Sequence, residues 1–141
     1  MNNIVRNILA VVAGLVLGSI VNMGLVNIGM VIIPPPVPEG GSLETMDGIK
    51  EAMKLFTPIN FLFPFLAHAL GTLAGAFVAA KIATCCRIIF AVGIGLFFLV
   101  GGITMVAMVG GPLWFILLDL LVAYIPMAIL GSILASGRKK V

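Results

Sequence analysis

The sequence predicts an all-α protein, a four-helix transmembrane bundle with a short amphipathic helix in its first external loop. Three observations carry this. Of 141 residues, 62% are hydrophobic and 9% charged, and the mean hydropathy is +1.28. A soluble domain of this length has too much surface for its volume to hide so many apolar side chains. Those residues fall into four long runs, each sufficient for a hydrocarbon core about 30 Å thick. Threading the runs back and forth also gathers most basic residues on one side. Residues 1–141 therefore read as a single integral membrane domain with no room for a separate soluble one.

The first span covers residues 4–33. Arg6 precedes its apolar stretch, as in a signal peptide. The run continues far beyond a signal-peptide core, and no small-x-small cleavage site with a polar start follows. An uncleaved helix is expected. Ala10, Gly14 and Gly18 recur at every fourth position and form a close-packing face, which Asn22 continues. The span is longer than the hydrocarbon core requires, so it should tilt or project. Pro34, Pro35, Pro36 and Pro38 end it, because proline removes a backbone donor and favours extended chain.

The external loop, residues 34–58, is the one strongly polar segment. Met46, Ile49, Met53 and Phe56 recur at helical spacing, while Glu44, Asp47, Lys50, Glu51 and Lys54 take other positions. An amphipathic helix lying on the membrane surface is predicted, its apolar face against lipid headgroups or the outer ends of the spans, started by Ser42 or Thr45 and ended by Thr57-Pro58.

The second span, residues 59–83, is the expected packing centre. Ala67, Gly71, Gly75, Ala79 and Ala83 line one face and admit a neighbouring backbone. A basic turn follows, with Cys85 and Cys86 adjacent. Neighbouring cysteines rarely meet disulfide geometry and supply too few ligands for structural zinc, so they read as small loop residues. The third span, 88–109, holds Gly93, Gly95, Gly101 and Gly102 for packing. Gly110-Gly111-Pro112 is short enough to make spans three and four antiparallel neighbours. The fourth span, 113–135, contains Pro126, a kink candidate. Leu70-Gly71-Thr72-Leu73 is faintly echoed by Leu130-Gly131-Ser132-Ile133, as glycine-rich helices often echo by chance.

Arg6, Lys81, Arg87, Arg138, Lys139 and Lys140 share one side of a four-span threading, and the acidic loop lies on the other. The positive-inside bias then predicts cytoplasmic termini and an outer loop in the inner (plasma) membrane, with Trp114 at the outer interface.

The polar residues inside the spans are the candidate site. Helical rise puts Asp119 about 9 Å, His68 about 12 Å, and Asn22 and Tyr124 about 16 Å from the outer ends. Polar groups at such depth are costly against lipid and should turn inward. His68, Asp119, Asn22, Tyr124 and Thr72 thus form a candidate intramembrane polar site, its carboxyl and imidazole able to pair as neutral or charged partners. They serve either as interhelical hydrogen bonds that fix helix order or as a proton-responsive or ligand-binding site open to the outside. Gly14, Gly18, Ala67, Gly71, Gly75 and Ala79 are packing positions. One His and one Asp fall short of a metal site. No cofactor motif, catalytic serine elbow or basic-aromatic nucleic-acid stripe occurs, and no enzyme is expected.

PFLAHALGTLAGAFVAAKIA, followed later by WFILLDLLVAYIPMAILG, resembles small four-span bacterial inner-membrane proteins of no assigned function. The resemblance covers nearly the whole chain and implies a type of protein without an activity. Small multidrug exporters differ, since their first span carries a glutamate and this one has no acid. Two functions follow as expectations. One is a structural or accessory subunit, forming a homo-oligomer or joining a larger membrane complex through its glycine faces, with the lipid bilayer as solvent. The other is a small transporter or channel using His68 and Asp119.

Overall fold

The computed structural model describes residues 2–137; Arg138, Lys139 and Lys140 of the basic tail lie outside them. The described residues form α1 (Asn3–Ile32), α2 (Met46–Met53), a 3-10 turn (Pro58–Phe61), α3 (Leu62–Ile82), α4 (Arg87–Val109), α5 (Leu113–Val122) and α6 (Ile125–Ser136). Four segments are long and apolar enough to cross a membrane: Asn3–Ile32, Pro58–Ile82, Arg87–Val109 and Leu113–Ser136. Their outward faces carry exposed Ile, Val, Leu and Met side chains such as Ile20, Val31, Val100 and Leu121. Lipid solvates such a surface at no hydrophobic cost.

Helix α3 is the centre, packed between α1 and α6 and also against α4. The small residues explain why. A Cβ built on Gly75 would lie 2.6 Å from the Gly14 carbonyl oxygen, and one on Gly14 would lie 2.7 Å from the Gly75 carbonyl oxygen. One turn further along, Gly18 and Gly71 stand in the same reciprocal relation at 2.9 Å. The two backbones touch directly, so dispersion contacts accumulate along the whole crossing. On the other side of α3, a Cβ on Gly131 of α6 would lie 2.8 Å from the Leu73 carbonyl oxygen. Gly71 and Gly131 thus both mark backbone contacts, so the short echo between their segments has a packing counterpart. Between the helices sits a core of Ala76, Ala79, Ala80, Ala91, Ile94, Ala128 and Ala135.

At the end holding the termini, polar side chains close the helix ends. Arg6 Nε donates to the Ile82 carbonyl at 2.7 Å, and Lys81 Nζ donates to the Ala135 carbonyl at 3.2 Å. Both satisfy C-terminal carbonyls that have no partner inside their own helix. Asn7 Oδ1 accepts from the Thr84 backbone N–H and hydroxyl, each at 3.0 Å. Cys86 takes the left-handed conformation (φ 46°, ψ 42°) and reverses the chain into α4.

At the opposite end the loop departs from the expected picture in two ways. Thr45 starts α2, its hydroxyl accepting from the Gly48 N–H at 3.1 Å, but the helix stops at Met53, short of Thr57. Thr57 instead opens the 3-10 turn, where Asn60 Oδ1 accepts from its N–H at 2.8 Å and its hydroxyl at 2.9 Å. This turn buries Phe61 in a cluster with Phe56, Trp114 and Phe115, at centroid distances of 5.5, 5.5 and 4.5 Å. Second, Met46 is exposed, while Ile49, Met53 and Phe56 turn toward the outer ends of the spans, one of the two surfaces expected for that face.

The fourth span is broken. Helix α5 ends at Val122, Ala123 stays near helical, and Tyr124 (φ −113°, ψ −80°) separates it from α6. Pro126, the second residue of α6, has no N–H, and its ring excludes a regular carbonyl at Val122. The interruption falls two residues before the proline and turns Tyr124 inward to 1% exposure.

Candidate functional site

The break in the fourth span positions the candidate site. Asp119 lies in the last turns of α5 and is 2% exposed. His68 stands two turns into α3. Its Nδ1 lies 2.9 Å from Asp119 Oδ1 and 3.0 Å from Oδ2. From beyond the break, the Tyr124 hydroxyl donates to Asp119 Oδ2 at 3.0 Å. The His68 and Tyr124 rings are 5.7 Å apart and tilted by 31°. Gly102 of α4 faces the Tyr124 hydroxyl so closely that any Cβ there would collide with it. Three helical segments therefore converge on one carboxyl group, and a glycine on a fourth makes the room.

The other polar candidates stand apart. Asn22 packs its Cβ against Gly71, at 3.0 Å from the position a Cβ would take, and makes no hydrogen bond to the cluster. It continues the small-residue face of α1, which is turned to α3 about one helical turn below His68. Thr72 is buried, and its hydroxyl has no partner among the described residues.

Above the cluster is a cavity of about 260 Å³. Val26 and Met30 of α1, Met105 of α4 and Ile49 of α2 contribute to its wall, with His68 and Asp119 at its deepest part. The His68 side chain is 23% exposed and Asp119 only 3%, so the imidazole presents the pair to the cavity. Helix α2 is its cover, held against α4. Helical rise in the sequence places the pair at one depth but shows neither the cavity nor the room that Gly102 leaves for Tyr124. The spacing of Ile49, Met53 and Phe56 was the available signal, since a helix over the span ends has to bury those residues somewhere.

Below Tyr124 the bundle is filled by the alanine-rich core, in which Ser132 is the buried polar neighbour of Gly131. The chemistry available at the cluster is that of an imidazole oriented by a carboxyl group. A nucleophile next to the imidazole would be needed for covalent catalysis; both cysteines lie at the other end, exposed and unpaired by disulfide. The hydrogen bond and charge of Cys85 push the Cys86 thiol up from its ordinary value, which disfavours the reactive thiolate. Among the described residues, no group of three or more His, Cys, Asp or Glu side chains is placed to hold a metal ion.

Comparison with protein-family models, with curated proteins and with solved structures gives no match. The likeness to small four-span bacterial membrane proteins therefore rests on the sequence pattern alone.

Proposed function

We propose that this chain is a non-catalytic, multi-pass accessory protein of the bacterial inner (plasma) membrane, with a binding cavity opening toward the outer face. The observation that carries the reading is the contrast along the bundle axis. The His68–Asp119–Tyr124 cluster lies beneath a cavity at the loop end, whereas tightly packed alanine and glycine close the other end. A channel needs polar groups or water along its whole path. A one-sided cavity suits a subunit that binds a ligand or a neighbouring protein from one side. The glycine contacts of α1 and α6 on α3 are used within the chain, which leaves the lipid-facing surfaces for contact with a second copy or a larger complex.

Orientation follows from charge. By sequence, Arg6, Lys81, Arg87, Arg138, Lys139 and Lys140 fall on the side of the termini, against Lys50 and Lys54 in the loop opposite. In a background lacking Cys85 and Cys86, a cysteine replacing Ser42 should react with an impermeant maleimide from outside whole cells. One replacing Ser136 should react only after the membrane is opened. Labelling of both from the same side would overturn this topology.

The competing reading, a proton-responsive carrier, is favoured by the His68–Asp119 contact itself. Reconstitution separates the two. Proteoliposomes loaded with a pH-sensitive dye should hold an imposed proton gradient as long as liposomes carrying the His68→Leu/Asp119→Leu variant. Faster dissipation by the wild type alone would establish the carrier and reject the accessory role.

A further inference from the structure

The cavity above His68 has a definite chemical preference, because its polar wall is the His68–Asp119 pair, of which the imidazole is the more exposed member. Nδ1 is engaged by both oxygens of Asp119, while Nε2 makes no hydrogen bond among the described residues. Asp119 is nearly inaccessible to solvent and, among the described residues, pairs with no Lys or Arg; the other group bonded to it is the Tyr124 hydroxyl. A bare carboxylate in such surroundings is costly unless the histidine carries the balancing charge. The electrically neutral pair has two arrangements, the carboxylic acid with neutral imidazole and the carboxylate with imidazolium. In both, one proton lies between Nδ1 and the carboxyl, and Nε2 carries a hydrogen. The imidazole therefore offers a donor to a cavity otherwise walled largely by side chains such as Val26, Met30, Ile49 and Met105.

We infer that this cavity binds a small membrane-soluble molecule with an apolar body and a carbonyl oxygen, the oxygen accepting from His68 Nε2–H. The chemical class is that of uncharged ketones, esters and quinone-type rings. An anion is disfavoured because Asp119 lies directly behind the imidazole, and a cation because no free carboxylate faces the cavity. Size agrees: about 260 Å³ corresponds to the share of roughly nine water molecules in the liquid, enough for a ring with a short chain. The inference deepens the outward-cavity reading and rests on it. It is tested in detergent micelles, so a failure here leaves the topology and gradient results standing, and the reverse also holds.

The experiment uses the full chain labelled with 15N-histidine. His68 is the protein's single histidine, so its Nε2 resonance needs no assignment by mutation. Propiophenone is titrated against propylbenzene, its hydrocarbon counterpart, and against 4-propylphenol. Propiophenone should shift Nε2 saturably, with at least a fivefold larger effect at equal concentration than propylbenzene. Ile49→Trp, which fills the cavity from α2 without touching the pair, should abolish the shift. Met105→Trp, from α4, replaces it if α2 does not tolerate the first change. Equal shifts from ketone and hydrocarbon would overturn the inference. So would a larger shift from the phenol, which would make Nε2 an acceptor, or undiminished ketone binding in the filled variant.

Discussion

Gly75→Leu is expected to destabilise the bundle by about 3 kcal/mol, the upper end of the usual cost of overpacking. A Cβ at Gly75 would lie 2.6 Å from the Gly14 carbonyl oxygen and 3.3 Å from Gly18 Cα. Both obstacles are backbone, so no rotamer change relieves them and α1 must move off α3. Moving it also separates Gly18 from Gly71, which stand in the same close contact one turn away. Gly101→Leu is the control, because a Cβ there meets nothing within 4 Å. Unfolding in mixed micelles should show a large loss for Gly75→Leu and almost none for Gly101→Leu. Equal behaviour of the two variants would remove the α1–α3 backbone contact from the account.

His68→Leu should have the second large effect, and the size of that effect decides what the polar cluster is. As ordinary interhelical glue, the hydrogen bond would contribute about 0.6 kcal/mol, the average for such bonds within membranes. Removing one partner of a buried pair costs more, about 3–5 kcal/mol, because the remaining group stays buried without compensation. Asp119, at 2% exposure, would keep only the Tyr124 hydroxyl. We expect the larger figure. Combining His68→Leu with Asp119→Leu, and with Tyr124→Phe so that no hydroxyl is stranded, should recover most of the loss. Additive losses would mean that the residues stabilise the bundle independently.

The parts of this structure that were legible in the sequence share a physical basis. Span positions follow from uninterrupted apolar runs, and the α1–α3 contact follows from Gly14, Gly18, Gly71 and Gly75 at one-turn spacing. The common depth of His68 and Asp119 follows from the fixed rise of a helix. Rotation about each helix axis has no such local rule, because packing with neighbours sets it. Asn22 therefore had the right depth but faces the Gly71 backbone, and Tyr124 reaches Asp119 only because the fourth span breaks at that residue. The burial of Phe61 was hidden for a related reason. Hydropathy does not distinguish an aromatic ring facing lipid from one facing Trp114 and Phe115. The inward turn of α2 was half visible, since its spacing showed an apolar face without showing what that face covers.

The central claim is that a His–Asp pair, joined across two helices, forms the deepest part of a cavity inside a membrane-embedded bundle. Dipolar recoupling by solid-state NMR tests it in lipid bilayers, between 15Nδ1 of the single histidine and 13Cγ of Asp119. The 2.9 and 3.0 Å contacts predict a strong coupling that is lost on Asp119→Leu substitution. A histidine signal without that coupling, in protein that retains its helical content in the bilayer, would contradict the account.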